Sequence, residues 1–265
     1  MQTMKMALMV GDTVPDAELR SLGFEAVQMF FGWDKNSVDG DPTTEAIDSK
    51  LKAGNVALAA MTLHIDLVGP KGCIPAEVER AIQRVEKTAA LKGRFGANEK
   101  PLMIWHPSGY PQEPGMKDRD VFNGLCEALG AICKTAEAKG VNLAVEMTRA
   151  GSVDSAEAFM RIKDKVGSPA LRVCMDAANI VPDRTPLERA IRMLGHDIVM
   201  AHGKDSRFSE NGECCHYGAT GTGKLDYPSY IRYLKEYSKA AYFVLEYYQS
   251  REELLSARDI VSKLL

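Results

Sequence analysis

Eight short apolar runs alternate with longer amphipathic stretches along the chain, and this alternation constrains the fold more than any other feature. Each run is about four to eight residues long and nearly continuous, as expected of parallel strands covered on both faces. The runs are residues 6–10, 26–31, 56–63, 102–105, 141–145, 171–175, 198–201 and 242–245. The stretches between them have helical spacing, with Gly140 and Gly195 at positions typical of helix ends. The pattern therefore predicts repeated βαβ units and a parallel sheet.

Two architectures satisfy such a pattern, a closed barrel and a doubly wound open sheet. A count of eight strands favours the barrel, and the 265 residues are close to the roughly 250 typical of this fold. The segment after the first run, from Val10 to Thr13, lacks the GxGxxG pattern of dinucleotide-binding sheets. We therefore predict an α/β fold, a (β/α)8 TIM barrel, in which residues 1–265 form a single domain.

Composition excludes several classes of protein. The net charge of -3 and the pI of about 6.0 argue against a nucleic-acid partner. No apolar run approaches the ~20 residues of a membrane span, so no membrane partner is expected. The six cysteines form no CxxC pair and are sparse for a disulfide scaffold, which predicts reduced thiols and a cytoplasmic location. Outer helices of such barrels often mediate subunit contacts, so a homo-oligomer remains open.

Residues able to bind metals or transfer protons follow six consecutive apolar runs. They are His64, His106, Glu146, Asp176, His202 and Glu246. In a parallel barrel the carboxyl ends of all strands meet on one face, where the active site lies. Buried carboxylates repel one another unless they are paired or coordinate a cation. We therefore predict one divalent metal ion bound by Glu146, Asp176, His202 and Glu246.

Three carboxylates and one imidazole form an oxygen-rich ligand set. Such a set suits Mn²⁺, Mg²⁺ or Co²⁺, and Zn²⁺ would also bind. The sequence does not choose among these four ions.

The chain resembles the xylose isomerase-like barrels, also called sugar phosphate isomerases/epimerases. The resemblance covers nearly the whole chain and rests on LAVE at 143–146, VCMDAAN at 173–179, AHGKD at 201–205, GTGKLDY at 221–227 and VLE at 244–246. It implies a metal-dependent isomerase or epimerase of carbohydrate metabolism. It also implies that Glu146 and Glu246 both bind the metal and exchange protons with substrate.

Proton abstraction next to a carbonyl is the chemistry that this site predicts. The substrate is expected to be a small sugar, sugar phosphate or keto acid that reacts through an enediolate stabilised by the metal. Return of the proton to the opposite face of the same carbon gives epimerisation, and return at the adjacent carbon gives isomerisation.

Several further side chains are candidates for substrate binding. His64 and His106 could bind hydroxyl groups, and Trp105, with Phe31 and Trp33, could cover the apolar face of a sugar. Asn179 stands where some ketose epimerases of the family have a substrate-binding histidine. An anionic substrate group could be bound by Lys204 and Arg207, with Arg149 and Lys224 nearby. Packing in the core, or an ion pair between Lys204 and Asp205, is the competing interpretation.

Besides Asn179, two features depart from the ketose 3-epimerases of the family. Residues 208–218 are expected to form an extended loop, and Ser152 occupies the position of a second glutamate. Two alternatives therefore stay open: a metal-dependent dehydratase of the inosose or dehydroshikimate type on the same site, and a non-catalytic sugar-binding barrel. A DNA-repair endonuclease on this barrel would need several zinc ions and many histidines, and the chain has five.

Overall fold

The computed structural model describes residues 3–11, 13–32, 38–107, 117–149, 151–183 and 186–265. The described strands are β1 (Lys5–Met9), β2 (Ala26–Phe30), β3 (Ala57–His64), β4 (Val68–Gly69), β5 (Gly72–Cys73), β6 (Leu102–His106), β7 (Asn142–Glu146), β8 (Leu171–Asp176), β9 (Ile198–Phe208), β10 (Cys214–Ala219) and β11 (Tyr242–Leu245). The described helices are α1 (Thr44–Gly54), α2 (Pro75–Ala90), α3 (Asp118–Lys139), α4 (Ala156–Val166), α5 (Ala177–Ile180), α6 (Leu187–Leu194), α7 (Tyr227–Tyr237) and α8 (Arg251–Ser262).

Eight of these strands close into a parallel barrel, which confirms the predicted fold class. Their order is β9-β11-β1-β2-β3-β6-β7-β8, and β8 pairs in turn with β9. Each of the eight predicted runs overlaps one barrel strand. The strands alternate with helices because their apolar residues pack inward against the barrel interior and outward against the helices.

Helix boundaries follow local sequence signals. Gly140 ends α3 with a φ of 67°, a left-handed conformation that glycine adopts without strain. Ser155 begins α4, and its hydroxyl accepts a hydrogen bond from Ala158 N. These local signals fix the lengths of the helices and hence the positions at which the strands end.

One strand differs from expectation. The sequence predicts a short strand at 198–201 and an extended loop at 208–218, but β9 continues to Phe208 and pairs antiparallel with β10. The loop prediction is therefore wrong for residues 214–218, which belong to β10, and the chain forms a hairpin with residues 209–213 between its strands. The extension was not recognised because residues 202–207 are mostly polar, whereas the other strands are apolar.

Within the described ranges, no helix is both long and apolar enough to cross a membrane.

Candidate metal centre

Four side chains at adjacent strand ends converge on the barrel axis. Glu146 ends β7, Asp176 ends β8, His202 lies in β9 beside it in register, and Glu246 follows β11. Their ligand atoms all lie within 4.8 Å of one another. All four side chains are buried, so the structure brings together the set predicted from the strand ends.

One atom of this cluster lacks the hydrogen bond that a buried polar group requires. His202 Nδ1 lies 3.5 Å from Glu146 Oε1 and 3.7 Å from Glu246 Oε1. Within the described chain, His202 Nδ1 has no hydrogen-bond partner. An unsatisfied buried ring nitrogen is destabilising, and a cation bound between it and the two carboxylates would satisfy it. The donor set therefore fits a divalent metal ion.

Asp176 is held by contacts from the start of α5. Its Oδ1 accepts a hydrogen bond from Ala178 N at 3.0 Å, and its Oδ2 accepts one from Asn179 Nδ2 at 2.9 Å. Asn179 Nδ2 also donates to Met147 O, and the residue is only 3% exposed. The structure thus places Asn179 behind the carboxylate, where it orients Asp176, rather than at an open substrate position.

Lys204 is a fifth member of the cluster. Its Nζ lies 2.6 Å from Asp176 Oδ2 and 3.0 Å from Glu246 Oε1, with the side chain 4% exposed. The ammonium also lies over the rings of Tyr217 and Tyr247, at 4.7 and 4.8 Å from their centroids. Lys204 therefore neutralises two carboxylates of the cluster instead of pairing with Asp205.

Burial and charge shift the pKa values of the cluster in different directions. Burial raises the pKa of Asp176 to about 7, although Lys204 opposes the shift. Burial also opposes ionisation of Glu146, yet the neighbouring His202 and His106 lower the pKa of that carboxyl. Burial lowers the pKa of His202, but Cys174, Glu146 and Glu246 raise it well above its ordinary value. The site thus favours the protonated, positively charged form of the His202 imidazole when no metal is bound.

Cys174 lies beside the cluster, and its sulfur could complete a different set with Glu146 and His202. Burial raises the pKa of its thiol to about 12. Because only the thiolate is a good metal ligand, the carboxylate set is the more suitable one.

Gln28 is a buried contact of His202 that the sequence did not predict. Its side chain is fully buried in β2, and its Oε1 lies 2.9 Å from His202 Nε2. Its Nε2 donates to Thr62 Oγ1 at 2.9 Å. The sequence feature that could have indicated this contact is the single amide side chain in the otherwise apolar run at residues 26–31.

The two histidines predicted to bind substrate lie together at the mouth. The rings of His64 and His106 stack with centroids 4.4 Å apart, and His106 Nε2 is 3.8 Å from Glu146 Oε1. His106 is 28% exposed at its side chain, and its Nδ1 has no hydrogen-bond partner among the described residues. This placement is compatible with contact to a substrate beside Glu146.

Trp105 and Phe31, which were predicted to cover the apolar face of a sugar, are buried in the packing of the barrel. Trp105 is 2% exposed, donates from Nε1 to Ile65 O at 2.9 Å, and lines a small cavity with Leu125 of α3. Phe31 is also buried, with the Arg84 guanidinium 5.6 Å from its ring. The structure therefore places both in the packing around the barrel, away from the metal cluster, whereas Trp33 lies outside the described residues.

The predicted anion-binding residues are dispersed around the hairpin. Arg207 Nε donates to Thr222 Oγ1 at 3.3 Å, and Arg149 contacts Cys214 O at 3.5 Å. Lys224 is exposed in the loop before α7. Of the basic residues predicted to bind an anion, Lys204 is the one that contacts the ligand cluster directly.

Comparisons with known proteins agree with this architecture. A family model described as a xylose isomerase-like TIM barrel matches residues 17–264. A search of curated proteins found no match. Among solved structures, the chain is similar to a xylose isomerase domain protein from Planctomyces limnophilus, with 16% identity, a TM-score of 0.74, and coverage of 99% of this chain and 97% of that one.

Two further similar structures are those of a probable dehydratase and an epimerase. A probable 3-DHS dehydratase from Bacillus anthracis is 15% identical, with a TM-score of 0.72 and coverage of 98% of this chain and 99% of that one. A D-allulose 3-epimerase from Methylomonas sp., solved with D-allulose, is 13% identical, with a TM-score of 0.72 and coverage of 100% and 98%. At these identities the similarity shows a shared fold.

Proposed function

Because this chain belongs to the xylose isomerase-like TIM barrel family, we propose that it is a divalent-metal-dependent sugar isomerase or epimerase. The observation that supports the proposal most directly is the buried cluster of Glu146, Asp176, His202 and Glu246, in which the ring nitrogen His202 Nδ1 has no hydrogen-bond partner among the described residues. The substrate class is a small sugar, sugar phosphate or keto acid that has a hydrogen next to its carbonyl group.

Glu146 and Glu246 are the proposed proton-transfer groups. Glu146 Oε1 and Glu246 Oε1 lie 3.5 and 3.7 Å from His202 Nδ1, so a substrate bound beside this nitrogen would be close to both carboxylates. The lowered pKa of Glu146 keeps that carboxylate ionised and able to accept a proton. A bound divalent ion supplies Lewis-acid stabilisation of the negative charge that develops on the substrate oxygen.

His106 and His64 are the proposed contacts to substrate hydroxyl groups. His106 is partly exposed beside Glu146, and its stacking against His64 fixes the orientation of both rings. Lys204 balances the charge of Asp176 and Glu246 within the cluster. Mn²⁺, Mg²⁺, Co²⁺ and Zn²⁺ are all compatible with three carboxylates and one imidazole.

A dehydratase is the second candidate function. The chain is as similar to a probable 3-DHS dehydratase as to a D-allulose 3-epimerase, with the same TM-score of 0.72. Both reactions begin with removal of a proton next to a carbonyl, and they differ in whether a hydroxyl group then leaves. His106, placed next to Glu146, could protonate such a leaving hydroxyl.

Hydrogen exchange in D₂O tests the proposal. The metal-loaded protein is incubated with ketoses, ketose phosphates and small keto acids, and the loss of C–H signals is followed by NMR. We expect exchange with at least one substrate, lost on chelation, and the product identifies epimerisation, isomerisation or dehydration.

Substitution of the proton-transfer groups sharpens this test. Glu146→Gln and Glu246→Gln should each slow exchange by roughly 10²-fold or more, since general base catalysis contributes about that much. The matched control is Glu210→Gln, which makes the same change at an exposed position in the hairpin. Bound metal without exchange across the whole panel contradicts the proposal and favours a sugar-binding barrel.

A further inference from the structure

We propose that Gln28 is a positioning residue that holds His202 with its proton on Nε2, which leaves Nδ1 as the nitrogen that binds the metal. The inference rests on the proposed function, since it assigns a role within the metal site. It concerns a side chain that donates no ligand atom itself.

Gln28 reaches His202 across the interior of the barrel. Two strands, β11 and β1, lie between β9 and β2 in the sheet order, so the contact is not made between neighbouring strands. Gln28 is fully buried, and the other residues of β2 are apolar. A buried amide is destabilising unless its donors and acceptor are satisfied. Among the described residues, the Gln28 side chain has hydrogen-bond partners in His202 and Thr62.

The orientation of the amide determines which nitrogen of His202 can bind a metal. A neutral imidazole has one N–H donor and one acceptor nitrogen, and the hydrogen bond at one nitrogen selects the tautomer. Thr62 Oγ1 accepts from Gln28 Nε2, so Gln28 Oε1 faces His202 Nε2 as an acceptor. When His202 is neutral, as it must be to bind a metal, its proton therefore lies on Nε2 and the lone pair of Nδ1 faces Glu146 and Glu246.

The opposite amide orientation would have a distinct consequence. An NH₂ group facing His202 Nε2 would require a lone pair there and would move the proton to Nδ1. That proton would occupy the position between the carboxylates and compete with a metal ion. In this structure Thr62 accepts from the NH₂ group of Gln28, and the amide oxygen is the atom that faces His202.

Two substitutions separate this role from simple packing. Gln28→Leu fills the same space without an acceptor, whereas Gln28→Glu keeps an acceptor for His202 and can accept a hydrogen bond from the Thr62 hydroxyl. Loss of such an outer contact typically weakens metal binding by 10- to 100-fold. We expect a loss of about that size in Gln28→Leu and near wild-type affinity in Gln28→Glu, measured with Zn²⁺ by competition against a chelating dye.

The control removes a partly buried hydrogen bond at the other end of the barrel. The Tyr242 hydroxyl, at the start of β11, accepts from Ala97 N at 2.7 Å. Tyr242→Phe should leave the affinity for Zn²⁺ unchanged.

A second measurement needs no variant. Long-range ¹H–¹⁵N correlation spectra of the Zn²⁺-loaded wild-type protein report the tautomer of each of its five histidines. We expect His202 to be protonated at Nε2 and bound through Nδ1. Coordination through Nε2, or a Gln28→Leu variant with wild-type affinity, would overturn the inference alone. A wild-type protein that binds no divalent ion would overturn the proposed function together with it.

Discussion

In the absence of a metal, the buried carboxylates of the cluster depend on the positive charge of Lys204. It lies against Asp176 and Glu246, and all three side chains are nearly inaccessible to water. Substitution of Lys204 by Met keeps the aliphatic stem but leaves both carboxylates without their cation. Because an uncompensated buried charge is costly, we expect Lys204→Met to destabilise the metal-free protein by roughly 3–5 kcal/mol.

Urea unfolding in a chelator and in excess metal measures this prediction. A divalent ion should restore part of the lost free energy of unfolding, because it supplies positive charge to the same carboxylates. Lys134→Met, at an exposed position on α3, is the matched control and should change little. Equal losses in the two variants would show that the ammonium of Lys204 does not stabilise the cluster.

The acidity of the ligands predicts how metal affinity depends on pH. Burial raises the pKa of Asp176 to about 7, and the nearby carboxylates raise the pKa of His202 despite its burial. Metal binding displaces protons from both groups, so protons compete with the metal. Affinity should therefore fall as the pH decreases through about 7.

Competition titrations with a chelating dye at a series of pH values test whether metal affinity falls as the pH decreases. A release of more than one proton for each bound ion is expected, since two ligands lose protons. An affinity that is constant across neutral pH would contradict it.

At the scale of elements, the buried carboxylate of Asp205 links β9 to the segment that follows β10. Asp205 is 1% exposed and accepts hydrogen bonds from the backbone amides of Ser206, Gly221 and Leu225. Gly223 packs so closely on Asp205 that a Cβ would collide with it. The carboxylate thus joins β9 to the loop before α7, next to Lys204.

Substitution of Asp205 by Ala should loosen this junction. Three backbone donors would lose a charged acceptor, and each unsatisfied buried donor costs about 1–3 kcal/mol, so we expect a loss of roughly 3 kcal/mol or more. Urea unfolding measures it, with Asp164→Ala on the exposed side of α4 as the control. A change within about 0.5 kcal/mol, as for an ordinary surface substitution, would exclude this role for Asp205.

The barrel strands were predictable because their apolar runs are short, continuous and separated by helical spacing. The convergence of Glu146, Asp176, His202 and Glu246 was predictable because the carboxyl ends of parallel strands meet on one face. Both deductions need only the periodicity of the chain and the rules of strand connection.

The remaining contacts were not predictable from the same rules. Gln28 contacts a histidine 174 positions away, through the interior of a closed barrel. The sequence predicts that Asn179 and Lys204 lie near the carboxyl ends of the strands. Whether such side chains face a substrate or a neighbouring carboxylate depends on their rotamers, and in the structure both contact Asp176. The polar part of β9 was hidden because buried charged residues break the apolar pattern from which strands are recognised.

At the scale of the whole molecule, the candidate metal centre joins distant parts of the chain. Its four ligands come from β7, β8 and β9 and from the end of β11, and Gln28 adds a contact from β2. The barrel is closed by pairing of β8 with β9, so these elements cannot separate without opening the sheet. We therefore propose that residues 1–265 unfold as a single domain.

Metal binding should then stabilise the entire barrel and not only the segments that contain the ligands. A ligand that binds only the folded state at 100 times its Kd adds about 2.7 kcal/mol to the free energy of unfolding. We expect one thermal transition, with and without metal, that shifts upward in metal and coincides when followed by far-ultraviolet circular dichroism and by tryptophan fluorescence. His202→Ala removes one ligand and should abolish most of the shift. Two separate transitions would contradict the single-domain proposal, whereas an undiminished shift in His202→Ala would show that the stabilising ion binds elsewhere.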